Sequence, residues 1–168
     1  YQKLALTMGE LTPNLHFADP VLQLGIPKLL TSSDALALYA SGAHQVVDWV
    51  PPQVLGPGLL ARWCRHTLQH AVKHATVVVA PVHELDAYGL EELAGKTVVT
   101  YNVNEERLAQ FRDKGVHLVV DAAPEIAGHA LDPSLIDAMV MAVTGHHASA
   151  LLDDDYLDVF ESAGLQPR

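Results

Sequence analysis

Three polar side chains that could do acid–base or binding chemistry follow short apolar runs in the middle of the chain. They are His83, Asn102 and Asp121, and each follows a different run. An imidazole close to a carboxylate can exchange protons near neutral pH, and an asparagine amide can both donate and accept hydrogen bonds. We therefore predict His83 and Asp121 as catalytic residues, provided that the three runs end at one place in the fold.

The runs that precede these residues span residues 77–80, 97–100 and 117–120, so that each begins 20 residues after the one before. All three are rich in valine and too uniformly apolar for strands with one solvated face, which is typical of parallel strands covered on both faces. The intervening 16 residues can hold a crossover helix. The pattern predicts an α/β fold of three layers, Rossmann-like, with a mainly parallel sheet of four or five strands and helices on both faces.

The remaining elements follow from caps, breaks and apolar periodicity. Residues 45–50 allow a strand as the alternative to the end of a helix. The other expected strands are residues 3–7 and 14–18, and the expected helices are residues 33–50, 58–73, 85–94, 105–114, 133–143 and 153–162.

The carboxyl ends of neighbouring parallel strands lie at one edge of a sheet, and ligands of open α/β sheets bind there. Because strands are about 4.8 Å apart, we expect His83, Asn102 and Asp121 to gather within about 15 Å on one concave surface. Asp19 is a further candidate for this edge. Each residue also has an ordinary structural interpretation: Asn104 as a helix cap, Asn102 as a turn former and Asp121 as the start of a loop.

Two other patterns favour structure over chemistry. Residues 56–61 match the G-x-G-x-x-A form of a dinucleotide loop, but two prolines lie just before them and no acidic residue follows at the expected distance, which favours a turn that starts a helix. His66, His70 and His74 recur every four residues along one predicted helix, a spacing that can chelate zinc or nickel. No carboxylate accompanies them at the usual position, so we predict a solvated stripe and no metal site.

Composition limits the class of partner. The chain has 168 residues with 10 basic and 20 acidic side chains, a formal charge of −10, which argues against nucleic acid or an anionic membrane surface as the partner. No apolar stretch approaches the ~20 residues of a membrane span. One cysteine, Cys64, fits a reducing compartment, and we predict a cytoplasmic protein. We expect a single α/β domain over residues 1–168 with a small-molecule ligand, and the start at Tyr1 in place of methionine indicates a fragment of a longer chain. A homo-oligomer stays open.

The chain also resembles a family of bacterial proteins known as quinate 5-dehydrogenases. Matching segments begin at Phe17 and cover about nine tenths of the chain, and the resemblance implies that this chain is the C-terminal part of a longer family member. They include Phe17-Ala-Asp19, Leu24-Gly-Ile-Pro27, residues 93–100, Asn102 with Asn104-Glu105-Glu106, residues 114–116, residues 123–128, residues 154–157 and residues 164–168.

This resemblance implies a Rossmann-like protein that oxidises quinate- or shikimate-like hydroxy acids with NAD or NADP. Asp19, Asn102 and Asn104 are then the expected cofactor-binding residues. The chain departs from the family in the segment after residue 120 and in the segment after residue 80. Two alternatives remain: a non-catalytic Rossmann-like module for ligand binding or assembly, and a metal-dependent enzyme that uses the histidine stripe.

Overall fold

A computed structural model gives the fold of most of the chain. The residues that the structure describes are 7–9, 11–43, 58–87, 92–126, 129–131 and 133–165. They fall into two compact units, Tyr1–His74 and Ala75–Arg168, and we describe each unit by itself. The single domain expected from the sequence, and its place in a longer chain, stay predictions.

The first unit is helical in its described part. Its helices are α1 (Asp19–Leu24), α2 (Ser33–Ala43) and α3 (Leu59–His74). Helix α1 ends at Gly25, whose φ of 62° places it in the left-handed region that glycine adopts without strain. Ser32 caps α2, because its hydroxyl oxygen accepts a hydrogen bond from the backbone N–H of Ala35 at 3.1 Å.

Side-chain hydrogen bonds hold these helices together. The thiol of Cys64, on α3, is fully buried and donates to the carbonyl of Gly25 at 3.2 Å, and burial raises the pKa of that thiol. The hydroxyl of Tyr39, on α2, donates to Gln23 Oε1 at 3.2 Å and lies 3.4 Å from the carbonyl oxygen of Asp19. Burial, and then the charge of Asp19, raise the pKa of Tyr39.

The N-terminal strands differ from the prediction. Residues 3–6 and 44–50 lie outside the described part of the chain, and residues 7–9 are helical. Within residues 14–18, only Phe17 pairs, through one antiparallel bridge to Leu30. The predicted strand is reduced to this bridge because Pro20, in the first turn of α1, starts a helix directly after it.

The second unit contains the predicted parallel strands. They are β1 (Val77–Val79), β2 (Thr97–Thr100) and β3 (Leu118–Asp121), in the order β1-β2-β3, with both pairs parallel. The parallel sheet is therefore confirmed, with three strands in the described residues and not four or five. A short antiparallel pair, β4 (Glu125–Ile126) and β5 (His129–Ala130), was not predicted.

The two faces of this sheet are not equally covered. On one face, Val78 and Val98 are buried. On the other face, Val77, Val79 and Leu118 are 47%, 38% and 50% exposed. The predicted burial of the strands on both faces is therefore wrong for β1 and β3. The valine-rich pattern was misleading because β-branched residues favour strands even where one face remains half-exposed.

The helices of the second unit follow the predicted positions with small shifts. They are α4 (Val82–Ala87), α5 (Glu105–Asp113), α6 (Pro133–Thr144) and α7 (Asp153–Ala163). Helix α4 starts three residues earlier than predicted, directly after the turn that leaves β1, and residues 88–91 lie outside the described part. In the described residues of both units, no helix is both long and apolar enough to cross a membrane.

A candidate ligand site at the carboxyl edge of the parallel sheet

The register of the strands brings three loops to one edge of the sheet. Val79 pairs with Val99, and Thr100, the last residue of β2, pairs with Asp121, the last residue of β3. Because all three strands run in the same direction, the segments that follow them leave from the same edge. We call this the carboxyl edge of the sheet.

Asp121 joins two of these loops through its carboxylate. Its Oδ1 accepts hydrogen bonds from the backbone N–H groups of Asn102, at 2.8 Å, and Ala123, at 3.0 Å. Its Oδ2 accepts a third from the N–H of Val103, at 2.9 Å. The side chain is only 4% exposed, so each oxygen is directed at the backbone beneath the surface. The geometry gives Asp121 a positioning role for the loops that follow β2 and β3.

This arrangement accounts for the unusual backbone of Asn102. Its φ of 61° is in the left-handed region, and it is the only residue other than glycine with a positive φ among the described residues. Asparagine tolerates this conformation better than other residues that carry a Cβ. The bonds from Asp121 to Asn102 and Val103 hold the turn in this conformation, which leaves the exposed Asn102 side chain at the edge.

A shallow pocket of about 290 Å³ opens beside this turn. Its lining contains one guanidinium, one imidazole, two carboxamides and a phenol, and no carboxylate. The lining residues are Pro81, Val82, His83, Tyr101, Asn102, Asn104 and Arg107. In a chain with twice as many acidic as basic side chains, the lining of this pocket contains two basic side chains, Arg107 and His83, and no acidic one.

Helix α5 positions two of the polar groups. Asn104 is its N-cap, and Asn104 Oδ1 accepts a hydrogen bond from the backbone N–H of Arg107 at 2.9 Å. The cap uses the amide oxygen, so the amide N–H₂ group is the part of Asn104 suited to a ligand. Arg107 donates from its guanidinium to Gln110 Oε1 at 2.6 Å, one helical turn on. That bond orients the guanidinium, which carries five N–H donors in all.

His83 reaches the pocket from β1, the strand on the side of β2 opposite to β3. It is the second residue of α4, and the Pro81 turn carries it from the end of β1 to the pocket, where the imidazole is exposed. An exposed imidazole can bind an anion when protonated or exchange a proton with a bound hydroxyl group.

The structure therefore brings together His83, Asn102 and Asn104 in the lining of one pocket, and the backbone N–H of Asn102 donates a hydrogen bond to Asp121. The segments that carry His83, Asn102 and Asp121 follow strands that end at one edge of the sheet. Asp121 is not in the lining of the pocket, so the predicted concave surface contains His83 and Asn102 but not Asp121. Asp19 belongs to the first unit, at the start of α1. The catalytic roles of His83 and Asp121, and the cofactor-binding roles of Asp19, Asn102 and Asn104, stay predictions.

Sequence reasoning missed Arg107. A detectable signal was present, because Arg107 is the third residue of α5, where the helix dipole favours acidic side chains. A basic residue at that position, close after a strand end, can be explained by a ligand with negative charge. Its neighbours Glu105 and Glu106 follow the usual preference.

The pocket fits the pyrophosphate of a dinucleotide poorly. Such sites use unpaired backbone N–H groups at a glycine-rich turn. Here the N–H groups of Asn102 and Val103 donate to Asp121, and that of Arg107 donates to Asn104. The turn after β1 has no glycine and contains Pro81, which has no N–H. The other candidate loop, Gly56 to Ala61, lies partly outside the described residues.

The predicted histidine stripe is present on α3, with exposed side chains. Among the described residues, however, no three His, Cys, Asp or Glu side chains lie close enough together to hold a metal ion. In this structure His66, His70 and His74 do not form such a group, and the metal-dependent enzyme stays a prediction.

A family model described as "Domain of unknown function (DUF8754)" matches residues 1–168, the whole chain. No curated protein matches the chain, and no solved structure does.

Proposed function

Because the chain belongs to this domain family of unknown function along its whole length, we propose a function from its geometry: a Rossmann-like module whose carboxyl-edge pocket binds a small hydroxylated carboxylate. One observation carries the proposal. A chain with a formal charge of −10 places an arginine and a histidine, and no acidic side chain, in the lining of the pocket at the carboxyl edge of its parallel sheet.

The chemistry of the lining supports this class of ligand. The Arg107 guanidinium can pair with a carboxylate through two parallel hydrogen bonds, a geometry for which arginine is suited. The amides of Asn102 and Asn104 can donate to and accept from hydroxyl groups. His83 can support the negative charge or bind a hydroxyl group. Quinate and shikimate, the ligands implied by the family resemblance, carry both a carboxylate and several hydroxyl groups.

The size of the pocket points in the same direction. Small-molecule pockets measure roughly 300–1,000 Å³, and the volume here, about 290 Å³, is at the lower end of that range. It suits a ring of six carbons with its substituents. A whole nicotinamide dinucleotide would need a larger binding surface than this pocket. The backbone N–H groups of Asn102 and Val103 already donate to Asp121, so they are not available to its phosphates. We therefore base no chemical step on NAD or NADP.

Oxidation of the same hydroxy acid remains the second candidate function. The observation that favours it is the placement of His83 in the pocket, where an imidazole could accept the proton of a bound hydroxyl group. Asp121 is less suited to act on the ligand directly, because its carboxylate accepts three backbone hydrogen bonds beneath the surface.

Thermal-shift titration tests the proposal, with quinate, shikimate, acetate, phosphate, NAD and NADP as separate probes. A ligand at 100 times its Kd stabilises by about 2.7 kcal/mol, which for a chain of this size raises the Tm by roughly 5–10 °C. We expect a saturable rise with quinate or shikimate that acetate reproduces only weakly. No rise with quinate, shikimate or acetate would overturn the proposal, whatever phosphate does.

Three variants and two matched controls locate the binding. We expect Arg107→Gln and His83→Gln to abolish the rise in Tm. Arg112→Gln, on the same helix but outside the pocket lining, and His117→Gln, before β3 at the opposite edge of the sheet, should keep it. Asn102→Gly removes the amide while glycine keeps the left-handed turn, so it should fold and bind weakly. A shift that persists in all three pocket variants would contradict this location.

The same protein distinguishes binding from oxidation. Incubation with quinate or shikimate and NAD or NADP should give no increase in absorbance at 340 nm if the module only binds. An increase that His83→Gln abolishes and His117→Gln retains would establish the oxidoreductase and replace the binding module as the function.

A further inference from the structure

The histidine stripe of α3 is uneven, although its sequence spacing is regular. The ring centres of His66 and His70 are 6.4 Å apart, with ring planes inclined by 28°. Those of His70 and His74 are 4.7 Å apart, with planes inclined by 52°. All three side chains are exposed, so a ligand in solution can reach each of them.

The shorter distance agrees with two imidazoles that share a metal ion. A metal about 2.0 Å from a ring nitrogen lies about 3.2 Å from the centre of that ring. Two rings that bind it at a right angle are then about 4.5 Å apart, and at the tetrahedral angle about 5.2 Å apart. The separation of His70 and His74 falls between these values. That of His66 and His70 would need the metal between two opposed nitrogens, in a nearly linear arrangement.

The position of the pair on the helix favours a cation. His74 is the last residue of α3, and the unpaired carbonyl groups of the last turn give a helix C-terminus a partial negative charge. Of the residues four positions apart on this stripe, His70 and His74 are the pair nearer to that end. The basic residue Lys73 is adjacent in sequence, and no acidic residue lies on α3, so the two imidazoles are the protein ligands and water fills the other positions.

We propose that His70 and His74 form a two-histidine site for a borderline divalent transition-metal ion, Cu²⁺, Ni²⁺ or Zn²⁺. Imidazole suits these ions, and the expected order of affinity places Cu²⁺ first. The site lies in the first unit and rests on none of the residues of the carboxyl-edge pocket, so it goes beyond the proposed function and neither depends on the other.

Calorimetric titration of the untagged full chain with Ni²⁺ tests the site, and His66 supplies the matched control. Removing one of two ligands destroys chelation, so His70→Gln and His74→Gln should weaken binding at least about tenfold. His66→Gln should change the Kd less than about twofold, because its ring is too far from His70 for a bent site. All three residues are exposed, and far-UV circular dichroism verifies that the variants fold.

Electron paramagnetic resonance of the chain with one equivalent of Cu²⁺ gives a second measurement. We expect coupling to two imidazole nitrogens in the wild type and in His66→Gln, and to one in His70→Gln or His74→Gln. The proposal is overturned if Ni²⁺ does not bind to the wild type, if His66→Gln weakens binding as much as His70→Gln does, or if none of the three substitutions changes the Kd.

Discussion

Replacement of Asp121 by asparagine separates a positioning role for this residue from a catalytic one. An asparagine has one acceptor oxygen where the carboxylate has two. If its oxygen keeps the place of Oδ1, the hydrogen bonds from Asn102 and Ala123 survive in weaker, uncharged form, and the N–H of Val103 faces an amide N–H₂ group.

The expected loss of stability follows from this count. A buried donor left without an acceptor costs about 1–3 kcal/mol, and a hydrogen bond to a charged group is worth about 1 kcal/mol more than one to a neutral group. With one orphaned donor and two weakened bonds, we expect Asp121→Asn to lower the free energy of unfolding by at least about 3 kcal/mol. Asp158→Asn, an exposed change on α7, should stay within about 0.5 kcal/mol.

Two measurements test this expectation. Both tryptophans, Trp49 and Trp63, belong to the first unit, whereas Asp121 belongs to the second. Urea unfolding should be followed by far-UV circular dichroism in place of tryptophan fluorescence. Amide hydrogen exchange should show faster exchange at Asn102, Val103 and Ala123, by about 100-fold if the 3 kcal/mol is lost locally. A change below about 0.5 kcal/mol with unaltered exchange would refute the positioning role. If Asp121→Asn left stability and exchange unchanged but abolished turnover of a substrate, Asp121 would have to act on the ligand directly.

Three further predictions concern side chains away from the pocket lining. Thr100→Val should stabilise the protein by about 1 kcal/mol in urea unfolding, because the buried Thr100 hydroxyl has no hydrogen-bond partner in the described residues. The control is Thr97→Val, at a half-buried position on the same strand, and a loss of stability in Thr100→Val would contradict the prediction. The hydrogen bond that the Tyr156 hydroxyl donates to Asp137 at 2.8 Å raises the pKa of Tyr156. The stability that this bond contributes should therefore be present below the ordinary tyrosine pKa and be lost as the pH rises through the higher pKa of the folded state. Absorbance titration at 295 nm of the wild type against Tyr156→Phe checks this, and equal titration curves at high pH would contradict it. Burial raises the pKa of the Cys64 thiol, so an aromatic disulfide reagent should label the native protein at pH 8 at least about tenfold more slowly than the urea-unfolded chain, and equal rates would show that the thiol is accessible.

Much of the second unit could be predicted from its sequence because local and tertiary preferences agree there. The regular spacing of three valine-rich runs identified β1, β2 and β3 to within one residue at each end. The predicted cap Asn104 is confirmed by its hydrogen bond to Arg107. A parallel sheet also fixes which edge its loops leave from, so the location of the pocket followed without any catalytic motif.

The parts that could not be predicted depend on contacts between distant segments. No pattern reveals that the Asp121 carboxylate is directed at backbone N–H groups 18 and 19 residues earlier in the chain. The half-exposed face of the sheet was missed because valine favours strands whether or not a helix covers it. The β4–β5 pair was missed because strands of two residues carry no detectable periodicity.

The placement of Asp121 and the character of the pocket are connected. An acidic residue at the end of β3 would ordinarily bring a negative charge to the carboxyl edge and repel an anionic ligand. Here its charge is met by three backbone N–H dipoles beneath the surface, and those bonds hold Asn102 in the left-handed turn that lines the pocket. The same contacts occupy the backbone N–H groups of Asn102, Val103 and Ala123. Under the proposed function, contacts with the ligand at this turn are therefore left to side chains. Asp121→Asn should therefore weaken binding of a hydroxy acid by loosening the turn that holds Asn102 in the pocket lining.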